Sequence, residues 1–385
     1  MKLTVVSAVI LVVVFVAWPV SAGGSGHEEE EDDTKSWFPL DNLLSLNYYD
    51  KSCPNFEKIV DTKVRQWTKS DPSLGPALLR LLFHDCGVTP HSQLWAATFP
   101  TIPRRGSGAP TEGMLNPLWP GLEVVMAGTS AEGCDASVLL DHEGSERKSP
   151  ASKTLRGFEL IDDIKSEMEK SCPKLVSCAD ILAAATRSAT YQLGGPYWPN
   201  AYGRRDSKNS YARDVEKVPS GRRDITGLLE TFQSYGLNVL DLVILSGAHT
   251  IGKAYCGTIQ SRLYNFNATH GTDPSIDPKF ADYLRRKCRW AAETVYLDVE
   301  TPVVFDNQYY INLQKNMGVL TTDQELVKDP RTAPLVQAFP EQPAQMFRHQ
   351  FAVSMAKLVN VGVITAEDRI GEIRRVCSKS NSRPY

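Results

Sequence analysis

The sequence has no basic block, no closely spaced cysteine pair and almost no alternating β pattern. Lys and Arg number 42 against 45 Asp and Glu, a formal net charge of −3. Without residues 1–36 the balance is close to neutral, so nothing supplies the field a nucleic-acid binder needs. Gly (26) and Pro (24) are ordinary for 385 residues, which excludes collagen-like and low-complexity chains. A hydrophobic share of 42% is too high for a disordered chain and ample for a large core. The tightest cysteine pair, Cys172 and Cys178, is too loose for a zinc site and has no second pair nearby. After the N-terminal segment no apolar run is long enough to span a membrane.

What is present begins with Lys2, the apolar run Val5 to Ala17, and the small residues Val20 and Ala22. This is the pattern of a secretory signal peptide over 1–22, cut after Ala22. Residues 23–44 carry the acidic stretch His27 to Asp33 and read as a solvated, disordered leader. Export places the chain in an oxidising compartment. There the even set Cys53, Cys86, Cys134, Cys172, Cys178, Cys256, Cys288 and Cys377 predicts disulfides, of which the sequence itself leaves the pairing open.

Helical patterns dominate the rest. Pro76 to His84 is a strong helix former entered through a proline. Phe158 to Lys170 sets Leu160, Ile161, Ile164 and Met168 on one face. Cys178 to Leu193 stops at Gly194-Gly195-Pro196; Asp224 caps a helix ending near Gly236; Leu240 to Ser246 and Phe347 to Val359 follow. The expected fold is one large, mainly α domain over 45–378, with a short tail at 379–385. One stretch stands apart: residues 89–131 hold six prolines, no cysteine and no sustained period. A structureless run of that length is out of place within a compact domain.

Two histidines sit in informative contexts. Arg80 and His84, four apart in Arg80-Leu81-Leu82-Phe83-His84-Asp85-Cys86, share a helix face. Together they could shuttle a proton and stabilise a developing anion, although an ordinary Arg/His surface is the competing reading. His249, in Ser246-Gly247-Ala248-His249-Thr250, follows an apolar helix among small residues that let a bulky group approach its imidazole. A buried structural histidine is the alternative there.

Taken with Gly133-Cys134-Asp135-Ala136-Ser137, Val176-Ser177-Cys178-Ala179-Asp180 and Phe305-Asp306-Asn307, the chain resembles the class III plant secretory haem peroxidases. The resemblance covers residues 45–378 apart from 89–131. It implies a mostly helical, disulfide-stapled fold gripping one haem b between a distal and a proximal helix. His249 would be the axial iron ligand and Asp323 the carboxylate behind it. His84 would move the peroxide proton, Arg80 would stabilise the charge growing on the breaking O–O bond, and Phe83 would shield the iron. Hydrogen peroxide is the implied oxidant and small phenolic compounds the one-electron donors, received near Ala201. Two calcium ions are implied. Asp85, Asp135 and Ser137, with the Val88 and Gly133 carbonyls, would hold the distal ion. Thr250, Asp298, Thr301 and Asp306, with the Val304 carbonyl, would hold the proximal one. The implied disulfides are Cys53–Cys172, Cys86–Cys134, Cys178–Cys377 and Cys256–Cys288. Asn267-Ala268-Thr269 is a glycosylation sequon. A secreted monomer of the cell wall, or of the vacuole, is expected, with no membrane span and no nucleic acid.

The sequence also departs from that pattern. Without residues 89–131 the text would run Cys86-Gly87-Val88-Glu132-Gly133-Cys134, the contiguous family motif, so a retained intron or faulty gene model is the expected origin. A real loop is the alternative, since closure costs only about 0.6 kcal/mol per doubling of length. The asparagine that usually follows Pro150 and orients the distal histidine is absent; Ala151 and Ser152 stand there, with Ser152 the candidate substitute. A proline contacting the donor is replaced by Ala201, whose carbonyl remains available to serve. Two rival functions follow, a haem-binding but catalytically impaired paralogue and a non-enzymatic secreted wall-binding protein.

Overall fold

Helix starts are written in short polar side chains. Ser177 Oγ accepts from the Asp180 amide (3.1 Å) and Asp224 Oδ1 from that of Gly227 (2.8 Å), each satisfying a backbone donor the first turn leaves unpaired. The computed structural model describes residues 44–88 and 133–381. The expected signal peptide, nearly all of the acidic leader, the segment 89–131 and the last residues of the tail lie outside the described residues.

Among the described residues the first half holds the helices α1 (Phe56–Ser70), α2 (Leu74–Cys86), α3 (Phe158–Ser171) and α4 (Cys178–Gln192). Helix α4 is the axle. It is buried from Cys178 through Thr190, and α1, α2 and α3 all pack against it. Ala183, Ala184 and Ala185 keep its surface small enough for that approach. Cutting the fully buried Ile181 back to alanine costs about 2–5 kcal/mol. Helix α2 begins two residues before Pro76 rather than at it; a third-position proline still loses no hydrogen bond, because the first four amides have none to lose.

The second half holds α5 (Ile225–Ser234), α6 (Val239–Ser246), α7 (Cys256–Leu263), α8 (Pro278–Lys287), α9 (Gln308–Gln314), α10 (Thr321–Lys328), α11 (Ala333–Ala338) and α12 (Ala344–Leu358). Helix α6 packs on α5 and α12, and a short 3-10 turn, Gly247–Thr250, continues from its end. The described strands are β1 (Lys253–Tyr255) and β2 (Thr294–Tyr296), antiparallel with Ala254 opposite Val295. No described helix is long and apolar enough to cross a membrane.

Disulfides join Cys53 to Cys172, Cys86 to Cys134, Cys178 to Cys377 and Cys256 to Cys288. A buried ion pair adds a polar tie: Arg204 Nη1 lies 2.9 Å from Asp180 Oδ1, with neither side chain exposed. Asp180 also accepts from the Tyr49 hydroxyl (2.8 Å) and the Gly203 amide (2.9 Å), while Arg204 reaches the Val359 carbonyl past the end of α12. Every charge in this knot is met, which is what keeps a buried pair tolerable; removing one partner costs about 3–5 kcal/mol.

Candidate active site

Helix α2 is asymmetric. Leu78, Leu81 and Leu82 are buried, whereas Phe83 and His84 are half-buried and Arg80 is exposed. The Arg80 guanidinium is held: Nη1 donates to the Thr154 carbonyl (3.1 Å) and hydroxyl (2.9 Å). Sequence reasoning missed Thr154, which lies 74 residues away with no local signal linking the two. Burial first, and the Arg80 charge second, push His84 down to about 3, so its imidazole is neutral at ordinary pH. Its Nδ1 is buried and has no hydrogen-bond partner among the described residues. Ser152 Oγ is also buried and unpartnered. Ser152 therefore does not replace the missing asparagine, and Ala151 is exposed with no side-chain oxygen to offer.

His249 lies in the turn after α6. Its Nδ1 is 2.7 Å from Asp323 Oδ1, a partner that assigns the ring proton to Nδ1 and leaves Nε2 for a metal. Asp323 is otherwise saturated: Oδ1 also accepts from the Tyr309 hydroxyl (3.0 Å) and Oδ2 from the Leu320 amide (2.9 Å). Burial pulls the His249 pKa down, but the charge of Asp323 and its hydrogen bond outweigh this, and the net shift is upward. The imidazole is thereby a stronger electron donor. The Arg80 charge acts in the downward direction on both His84 and His249. The glycine before His249 has a different purpose from the one expected. A Cβ on Gly247 would sit 2.5 Å from the Tyr310 hydroxyl and 2.6 Å from the Phe347 ring. Its smallness admits these rings, and through them fixes the turn that carries His249.

Two oxygen clusters flank the histidines. In the first, Asp85 accepts the amides of Ala136 (2.9 Å) and Val138 (3.3 Å). Asp135 Oδ2, Ser137 Oγ and Glu146 Oε2 are buried without partners among the described residues. Burial raises Asp85 to about 7, and burial followed by neighbouring carboxylates raises Asp135 and Glu146 well above their usual range. Such orphaned, crowded oxygens fit a hard cation. Glu146 was not among the expected residues. Val88 and Gly133, the expected carbonyl donors, are buried beside the Cys86–Cys134 bond. In the second cluster the Thr250 and Thr301 hydroxyls each lie between Asp298 and Asp306, at 3.1–3.4 Å. Val304 is exposed at its edge. Among the described residues no three Asp, Glu, His or Cys side chains gather as a metal cluster; hydroxyls and carbonyls must complete either set, which suits calcium better than a transition metal.

Ala201 is a correction. It is 3% exposed, and its carbonyl accepts from Arg204 Nη1 at 2.6 Å. It belongs to the buried knot and offers no surface to a donor. Asn267 is exposed, its Oδ1 accepting from the Thr269 amide and hydroxyl, both at 2.9 Å, so the sequon is accessible.

A neutral histidine beside a tethered guanidinium, together with a second histidine backed by a carboxylate, fits a haem iron. A family model described as Peroxidase matches residues 60–342. The chain belongs to the peroxidase family. It is 71% identical over 392 aligned positions to Peroxidase 7 of Arabidopsis thaliana, covering all of both chains. Peroxidase 10 and Peroxidase 66 of the same plant are each 37% identical, over 88% and 84% of this chain and 87% and 89% of theirs. The chain is thus a plant haem peroxidase, reducing hydrogen peroxide at the expense of a reducing substrate, and haem and calcium are typical of its family. Neither the impaired-paralogue nor the non-enzymatic reading is favoured.

Proposed function

We propose that this peroxidase binds one haem b through His249 Nε2 and takes its electrons from small phenolic donors in one-electron steps. The observation that supports this most is the 2.7 Å contact of His249 with Asp323, which orients one nitrogen for iron and enriches it. When bound, the haem would supply the redox-active iron for the two-electron reduction of peroxide. The chain's own residues do the rest. His84, neutral and desolvated, takes the proton from one peroxide oxygen and returns it to the leaving oxygen. Arg80, held by Thr154, stands ready for the negative charge that develops on the leaving oxygen. Phe83 limits access to the same cleft.

We further propose that two calcium ions occupy the oxygen clusters. The distal set is Asp85, Asp135 and Ser137 with the Val88 and Gly133 carbonyls, and Glu146 lies alongside. The proximal set is Thr250, Asp298, Thr301 and Asp306 with the Val304 carbonyl. The leading segment supports secretion, Asn267 carries a glycan, and the working enzyme is a monomer. Residues 89–131 are absent from it. The test is a visible absorption spectrum of protein purified from its secretory source, with an intact mass. The expected result is a haem band that shifts at once with one equivalent of hydrogen peroxide and returns on adding a phenol. A haem band indifferent to peroxide would overturn the roles of Arg80 and His84; an intact mass that includes 89–131 would overturn its absence.

A further inference from the structure

Peroxide reduction leaves unused a line of rings that starts at the proximal histidine. Tyr309 lies 6.1 Å from His249, centroid to centroid, and Tyr310 lies 5.1 Å beyond it. The next steps are 5.4 Å to Phe347, 5.8 Å to Phe351 and 6.4 Å to Trp198. All five rings are buried. The residue next to Trp198 in the chain, Tyr197, breaks the surface at 60% exposed, and so does Tyr191, also 60%, whose ring stands edge-on 6.0 Å away. Two tyrosines this open are not core residues that fell short. They border a shallow depression of about 550 Å³ shared with Gln345 and Arg348, and the Arg187 guanidinium pins the Tyr197 ring from 4.4 Å.

The chemistry along this line is graded. The Tyr309 hydroxyl donates to a carboxylate, Asp323, which can accept its proton when the ring is oxidised. The Tyr310 hydroxyl meets only the Val243 carbonyl (3.1 Å) and keeps its proton, so that ring and the two phenylalanines act as dry bridges. Trp198 is an oxidisable indole, and Tyr191 and Tyr197 at the far end are exposed, so that water can take the proton of an oxidised ring there.

We propose that Tyr191 and Tyr197 form a second donor site, at which phenolic units attached to polymers too bulky for the haem cleft are oxidised one electron at a time. The inference rests on the reading that phenols are the donors. An electron leaves Tyr197 inward along the rings while its proton passes to water, giving a neutral phenoxyl. A docked phenol then supplies one electron and one proton, restoring the tyrosine and departing as its own phenoxyl radical. Two such events balance one peroxide reduced to two waters.

The test compares free tyramine with tyramine-substituted dextran, which present the same phenol with different reach. In the haem-loaded Tyr191→Phe/Tyr197→Phe variant the free-tyramine rate should stay within about twofold of the parent, while the dextran rate falls about tenfold or more. Tyr197→Trp, which keeps an oxidisable ring, should restore much of the loss. Freeze-quenched electron paramagnetic resonance, one equivalent of peroxide and no donor, should show a tyrosyl radical in the parent that the double variant lacks. An unchanged dextran rate, or the same radical signal in both proteins, overturns the proposal. A parent that leaves free tyramine unoxidised would instead defeat the phenolic reading, and the radical signal would still decide where the electron comes from.

Discussion

His249 and Asp323 are joined Nδ1 to Oδ1 at 2.7 Å, and the carboxylate, 2% exposed, has little water to dilute its charge. Asp323→Asn keeps the shape and removes the charge. Haem affinity or the rate of peroxide reduction should fall by about 10–100-fold, with the iron midpoint potential rising because the imidazole donates less. Stopped-flow kinetics and a spectroelectrochemical titration would read both, and an unmoved potential would refute the electronic role.

Among the described residues the Arg80 guanidinium hydrogen-bonds Thr154, a neutral partner, so its charge is not neutralised there. Arg80→Leu should slow peroxide cleavage by about 10²–10³-fold and leave haem bound, since His249 is untouched. Unchanged cleavage, with the haem spectrum intact, would remove Arg80 from its role.

His84 lacks a partner at Nδ1 among the described residues. Ala151→Asn would present a carbonyl oxygen to that N–H, orient the ring, and contribute about 0.5–1.5 kcal/mol, a gain of about 2–10-fold in peroxide rate. An acceptor on Nδ1 favours the protonated ring, so its pKa rises from about 3. The acid limb of the pH–rate profile should therefore move upward in the variant. A profile that stays in place would show that the new side chain does not reach His84.

Calcium removal should matter most at alkaline pH. Without the ion, Asp85 titrates near 7 in the fold, with Asp135 and Glu146 also raised, against about 4 for unfolded carboxylates. The folded chain then binds more protons than the unfolded one between those values, so its stability is fully present at low pH and lost as pH rises through about 7. Calcium at a hundred times its Kd contributes about 2.7 kcal/mol. Melting curves with calcium or chelator at pH 5 and pH 8 should show the larger calcium effect at pH 8; equal effects would place the ion elsewhere.

Deleting residues 89–131 should preserve or raise yield and activity. Cys86 and Cys134 are already closed, with Cα atoms 4.1 Å apart, and four residues then bridge them. Loss of peroxide turnover in the deleted protein, measured per haem, would show that the segment belongs to the working enzyme.

Much of the helical frame was legible because its signals are local. Ser177 and Asp224 cap the helices they precede, and the stripe Leu160, Ile161, Ile164, Met168 is buried as its spacing requires. What escaped notice depends on distant partners. The three-residue strands β1 and β2 have no period to detect and are aligned beside the Cys256–Cys288 bond. Thr154 reaches Arg80 across 74 residues, and Tyr309 reaches Asp323 around the turn between α9 and α10. Gly247 was read as room for a ligand when it is room for Tyr310 and Phe347, and Ala201 as a donor contact when Arg204 holds its carbonyl. The first expectation came from the small residues around His249 and the second from the family resemblance; each named a position whose neighbour is set by distant chain.

The Cys178–Cys377 bond sets the order in which the molecule is finished. Cys178 opens the central helix, yet its partner is made 199 residues later. Around that partner, Arg374 reaches back to the Ala136 carbonyl (2.6 Å) and the backbone to Asp206 (2.8 Å). Chains fold as they emerge, at about 5–20 residues per second, so the axle of the fold waits roughly 10–40 seconds for its last staple. During that interval Cys178 is without its partner, with Cys172 six residues before it and Cys53 already waiting. Correct pairing is then a contest of timing: Cys53 and Cys172 must close first and leave Cys178 alone until the final segment arrives.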